Sequence, residues 1–149
     1  MTKTTTEDRT IERRLEFDAP VERVWHALTD VAELGSWFSD EADFEARPGY
    51  EGSVTWHEHG TFAVRVEVAE PPHRLVWQWL HEAGAPFRAE AATRVEWTLT
   101  PGPDGGTVLE LRESGFRTDL HHRENQEGWT SELGHLRTFL QAAPGSRTG

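Results

Sequence analysis

The sequence predicts an α+β fold: a curved antiparallel sheet of about seven strands around one long C-terminal helix. Three observations predict it. Apolar residues alternate with a period of two through most of residues 42–114, as they do on a sheet with one buried face. Two short segments with a period of three to four follow the first strand. Residues 119–142 then carry one stripe of large apolar side chains at about 100° per residue.

In chain order, residues 1–9 are polar and are expected to be disordered, with the domain running over residues 10–142 and a disordered tail over 143–149. Ile11, Leu15 and Phe17 share one face of a strand over 10–17, with Arg13 the polar exception. Val21, Val24, Trp25 and Leu28 predict a helix over 20–28. Pro20 suits its first turn, where no backbone donor is needed, and Glu22 suits its positive end. Asp30 is placed to cap a second short helix carrying Val31, Leu34 and Trp37. Six strands follow: a short one over 42–46, then 53–57, 61–70, 74–82, 93–100 and 107–114. Phe62, Val64, Val66 and Val68 are expected on one face, as are Leu75, Trp77 and Trp79, then Val95, Trp97 and Leu99, then Leu109 and Leu111. Pro71 and Pro72 force one turn, and "PGPDGG" at 101–106 makes another. Trp129, Leu133, Leu136 and Leu140 form the stripe of the final helix.

A sheet with one apolar face must bury it, and the long helix is the element large enough to cover it. Incomplete closure leaves a hollow, with the two short helices at one end. Trp37, Phe38, Phe62, Trp77, Trp79, Trp97, Trp129, Leu133 and Leu136 converge on that volume, either as a solid core or as the walls of an apolar cavity. Three polar groups are candidates beside it. Glu113 shares parity with Leu109 and Leu111, Glu132 flanks the helix stripe, and Arg13 shares parity with Ile11 and Leu15. An inward Arg13 opposite an inward Glu113 would be a charge pair, either orienting a polar ligand group or serving as a structural or rim-exposed pair. Gly128 costs about 1 kcal/mol relative to Ala inside a helix. It either lets the helix approach its neighbours so that Trp129 seats deeply, or falls in an irregular first turn.

Composition removes several function classes. The 149 residues hold 15 basic and 26 acidic side chains, a formal charge of −11, which repels nucleic acid and anionic membranes alike. With no Cys there is no disulfide, thiol nucleophile or thiolate metal site. The polar N-terminus has no apolar run of a signal peptide, and no window approaches 18 apolar residues, so a cytoplasmic protein is expected. His57 with His59, and His121 with Glu124, are spaced for one face, but neither spacing nominates a third ligand, and no metal is expected. No phosphate-cradling glycine loop or nucleophile elbow occurs, and no cofactor is expected.

Four stretches, "FDAPVERVWHALTD" (17–30), "LGSWF" (34–38), "RLVWQW" (74–79) and "EGWTSELGHLRTFL" (127–140), occur in an order that resembles the helix-grip superfamily of START-like and Bet v 1-like domains. Within it, the chain resembles the family related to the C-terminal domain of the activator of Hsp90 ATPase. The resemblance implies that the sheet grips the last helix and that Gly128 and Trp129 lie where that helix meets the cavity. The early turn departs from the family's pattern: Tyr50 and Glu51 separate Gly49 from Gly52. The Arg-over-Lys bias fits a GC-rich bacterial genome. Three functions follow as expectations. The first is an intracellular binding protein for a small hydrophobic or aromatic molecule. The second is a cyclase- or dehydratase-like enzyme using Glu113 or Glu132 in the same cavity. The third is an Hsp90-type chaperone co-factor or a homodimerising interaction module.

Overall fold

A computed structural model describes residues 9–142, so the polar ends at 1–8 and 143–149 lie outside the described residues. Strand β1 (Ile11–Phe17) is followed by helices α1 (Val21–Thr29) and α2 (Val31–Trp37). Strands β2 (Glu41–Asp43), β3 (Glu51–Trp56), β4 (Gly60–Glu70), β5 (Arg74–Trp79), β6 (Thr93–Pro101) and β7 (Thr107–Ser114) come next, and helix α3 (Asp119–Ala142) closes the chain. The seven strands form one sheet in the order β1-β7-β6-β5-β4-β3-β2, each pair antiparallel. It is a curved, open sheet with the long helix against it, the helix-grip form of an α+β fold.

The two short helices form where their ends are satisfied. The Asp30 side chain accepts from the Glu33 amide at 3.1 Å and caps α2. The Trp37 indole donates to the Ala27 carbonyl at 2.8 Å, which locks α2 against α1. Val24, Ala27 and Leu28 are fully buried between α1 and the sheet. Along α3, Trp129, Leu133, Leu136 and Leu140 are buried, as the stripe requires. Trp129 meets Trp97 of β6 edge to face, with ring centroids 5.4 Å apart.

Two strands differ from their sequence pattern. β4 carries an irregularity between Val66, opposite Trp77, and Val68, opposite Val76. The extra residue reverses the alternation, so Ala69 joins the core and Val68 leaves the face of Val64 and Val66. β2 has three residues rather than five. The chain leaves the sheet after Asp43 and turns the Phe44 ring inward, edge-on to Trp77 at 5.7 Å. The turn into β3 then folds back tightly on β2. A Cβ on Gly52 would lie 1.9 Å from the Asp43 carbonyl oxygen, so no larger residue fits there, and the Tyr50 hydroxyl bonds the Asp43 carboxylate.

The stripe generates a paired prediction. Leu136 is fully buried, and Leu136→Ala is expected to lower stability by about 2–5 kcal/mol in urea unfolding. A Cβ on Gly134, on the same helix, meets nothing within 4 Å. Gly134→Ala is expected to raise stability by up to about 1 kcal/mol in the same measurement.

Candidate functional site

A cleft of about 510 Å³ opens between the sheet and the N-terminal half of α3. Phe38, Trp56, Phe62, Trp79 and Trp129 form its aromatic walls. Phe38, the residue after α2, stacks on Trp79 (5.9 Å, 18°) and on Trp129 (5.9 Å, 17°), and those two indoles stack on each other at 5.7 Å. The result is three rings inclined by 17–30° to one another, from β5, α3 and the residue after α2. Phe38, Trp79 and Trp129 are themselves nearly buried, at 4%, 7% and 2% exposure, and Trp37, Trp77, Trp97, Leu133 and Leu136 are buried in the core behind them and do not line the cleft. The indole nitrogens of Trp77 and Trp97 have no hydrogen-bond partner among the described residues.

Glu113 holds the walls in place. It is fully buried on β7, at the parity of Leu109 and Leu111. The Trp79 indole donates to its Oε2 at 2.8 Å, and the Trp129 indole donates to its Oε1 at 2.7 Å. Thr93 Oγ1 donates to Oε2 at 2.5 Å, and Asn125 Nδ2 reaches both oxygens at 3.0 and 3.2 Å. A carboxylate is an acceptor at both oxygens, and every group around it here is a donor. The expected Arg13 pairing is not formed. Arg13 stands opposite Leu111, not Glu113, and donates to the backbone carbonyls of Glu12 (3.1 Å) and Gln126 (3.3 Å). It ties the edge strand to α3 and stays away from the cleft.

Glu132 lies in the cleft wall with its side chain 17% exposed. Burial pushes its carboxyl above the ordinary value of 4.5, and a hydrogen bond with His135 pulls the other way. Gly128 faces the cleft too, and a Cβ there would meet nothing within 4 Å. Close approach of the helix is therefore not its role: Trp129 is seated by its bond to Glu113, and Gly128 leaves the cleft open.

Four residues outside the predicted set complete the site: Trp56, His81, Thr93 and Asn125. Each had a signal. Trp56 shares parity with Val54, His81 with Trp77 and Trp79, and Thr93 with Val95 and Trp97, while Asn125 is one helical turn before Trp129. His81 Nε2 meets Thr93 Oγ1 at 2.7 Å and lies 3.7 Å from Glu113 Oε2. Its ring stacks on His121 at 5.5 Å and meets Trp79 at 6.1 Å. Burial pushes its pKa below the ordinary 6.5, and the Glu113 charge opposes that shift. The two stacked imidazoles divide the cleft from a second hollow of about 680 Å³ under the β5–β6 loop, which Arg88, Glu90, Phe116 and Arg117 also line.

Among the described residues, no group of three or more His, Asp or Glu is arranged to hold a metal ion. β3 ends at Trp56, so His57 and His59 lie in a turn rather than along one strand face. His57 pairs with Glu41 at 3.0 Å, and that bond, with Asp40 nearby, raises its pKa. No helix among the described residues is long and apolar enough to cross a membrane.

Sheet, gripped helix and aromatic cleft together define a START-like protein. The sequence profile of the family described as "Activator of Hsp90 ATPase homolog 1-like protein" matches residues 18–141, and the chain belongs to that family. The structure is similar to that of protein MLL2253 from Mesorhizobium loti, at 26% identity over 89% of this chain and 97% of that one, with a TM-score of 0.78. It is similar to CalU16 from Micromonospora echinospora, at 31% identity over 92% of this chain and 78% of that one, with a TM-score of 0.70. It is also similar to DynU16, a protein in the dynemicin biosynthetic locus, at 27% identity and a TM-score of 0.79; the match covers 95% of this chain and 50% of DynU16. No curated protein matches the chain.

Two substitutions probe the site. Glu113→Gln places an amide N–H among donors, and a loss of about 1–3 kcal/mol in urea unfolding is expected. Glu132 gives the opposite sign. Its folded-state pKa is above the unfolded value, so ionising it costs the folded state stability as pH rises through the carboxylate range. Glu132→Gln is expected to melt higher than the native protein at pH 7, with the gap closing as the pH is lowered through that range.

Proposed function

We propose that the protein binds a small, flat, hydrophobic molecule in the cleft between the sheet and its C-terminal helix. The aromatic lining of the cleft carries this reading: the half-buried Trp56 and Phe62 and the edges of Phe38, Trp79 and Trp129 behind them offer apolar and ring contacts to a small aromatic molecule. A volume of about 510 Å³ is within the range of small-molecule sites, and a few polar groups at one end of an apolar pocket are their usual composition. The family's START-like fold is a ligand-binding fold, and the similarity to a protein of a biosynthetic locus agrees with a role among small molecules.

The rim narrows the class. Glu124 and Glu132 line the cleft, and the chain has a net charge of −11, so neutral aromatic molecules are favoured over fatty-acid anions. An interaction module would call for a continuous apolar surface. The exposed large apolar side chains among the described residues are Val31 and Leu120, single residues on different helices.

Tryptophan-fluorescence titration, confirmed by calorimetry, tests the reading with naphthalenes, flavonoids and fatty acids. Saturable one-to-one quenching by neutral aromatics is expected. Gly128→Leu adds a side chain where the backbone leaves open space, so the variant is expected to fold and to lose the quenching. Equal binding by that variant would place the ligand elsewhere, and no saturable binding across the panel would remove the reading.

A further inference from the structure

We propose that His81 Nδ1 is a fixed hydrogen-bond acceptor facing the bound molecule, so that the cleft selects hydroxyl-bearing aromatics, phenols, over their methyl ethers. The inference rests on the reading of the cleft as a ligand site and adds the chemistry that the ligand must carry.

A chain of hydrogen bonds runs outward from the buried carboxylate to His81. Glu113 is surrounded by donors: two indole N–H groups, the Asn125 amide and the Thr93 hydroxyl. Thr93 has one proton, and Glu113 takes it. The lone pairs of Thr93 Oγ1 are what remain, and they meet His81 Nε2 at 2.7 Å. A hydroxyl oxygen that has given its proton away can only accept, so Nε2 must carry the hydrogen. A neutral imidazole has one N–H, and with that hydrogen on Nε2 the other nitrogen is a bare acceptor. Nδ1 has no hydrogen bond among the described residues, while the His81 ring lines both hollows. Burial favours the neutral ring.

The position of the ring turns this into a selection rule. His81 packs against Trp79 at 6.1 Å, and Trp79 is part of the stacked wall. Because His81 itself lines the cleft, a ring bound there lies beside the imidazole, within reach of a substituent on that ring. A hydroxyl there donates to Nδ1. A methoxy group has no hydrogen to give and leaves the nitrogen desolvated without a partner, which is the costly arrangement. His121, stacked on His81, holds the ring in its plane from the helix side.

Calorimetric titration of the full chain with 2-naphthol, 2-methoxynaphthalene and naphthalene tests the proposal. The native protein is expected to bind the naphthol about tenfold more tightly than the ether, the worth of one net hydrogen bond. His81→Phe keeps an aromatic ring against His121 and removes the acceptor, and the ratio is expected to collapse to about one. A native ratio near one, or an unchanged ratio in His81→Phe, overturns the proposal. Imidazole ¹⁵N shifts of the native protein read the tautomer without any variant. Hydrogen on Nε2 is expected, and hydrogen on Nδ1 overturns the proposal by itself. If naphthalene and the ether fail to bind along with the naphthol, the reading of the cleft as a ligand site falls, and the selection rule falls with it. If the hydrocarbon and ether bind as well as the naphthol, only the selection rule falls.

Discussion

A carboxylate buried with no Lys or Arg beside it among the described residues is the constraint around which this molecule is arranged. Removing a charge from water is costly, and the cost is offset here by dipoles rather than by an ion pair. Glu113 collects N–H and O–H groups from β5, β6 and α3, while it belongs itself to β7. Those four elements cannot shift relative to one another without stranding it. The Trp79 indole fixes the ring on the sheet side of the cleft, and the Trp129 indole fixes the ring on the helix side, each through one oxygen of the same group. Apolar contact alone tolerates sliding. A hydrogen-bonded carboxylate between two rings does not, and the stacked geometry of the cleft wall follows from it.

Much of the architecture was legible in the alternation of side chains, because strand parity and helix periodicity report the buried face directly. β6, β7 and α3 bury the residues their patterns name; β5 buries Leu75, Trp77 and Trp79 as expected, but it ends at Trp79 rather than at residue 82 and buries Val76 as well. What escaped were features that depend on partners distant in sequence. The reversal at Val68 comes from an extra residue that only the pairing with β5 defines. β2 ends at Asp43, whose carbonyl packs against Gly52 across a turn, a closeness that local alternation does not report. Arg13 and Glu113 were both legible as inward by parity, but parity does not state register, and register places Arg13 opposite Leu111. Gly128 illustrates the same limit. A glycine inside a helix signals that space matters there, but whether the space admits a neighbour or is left empty is decided by the tertiary arrangement.

The candidate site is also a lesson in which polar residues matter. The eight histidines of the sequence look alike on paper. In the structure His57 belongs to an exposed acidic turn, His26 pairs with Glu33 on the surface at 3.0 Å, and His81 belongs to the chain of hydrogen bonds that begins at Glu113. The difference is burial and a neighbour with a committed proton. On the outer face of the sheet the charges are organised differently: Arg74 bonds Glu96, and Arg94 bonds Glu67 through two nitrogens, so opposite charges alternate across β4, β5 and β6. That face is finished with surface ion pairs, while the inner face carries the core and the cleft.

Among the described residues the strand order places β1 and β2 at the two borders of an open sheet. Unpaired strand borders invite other chains to add to them, which is a route to fibrils and swapped dimers. Here one border is only three residues long, too short to template a partner. The other alternates exposed Glu12, Arg14 and Glu16 along its length, so an incoming strand would have to match a charge sequence before it gained any backbone bonds. An open sheet with such borders thereby offers little purchase to a strand seeking to add to it.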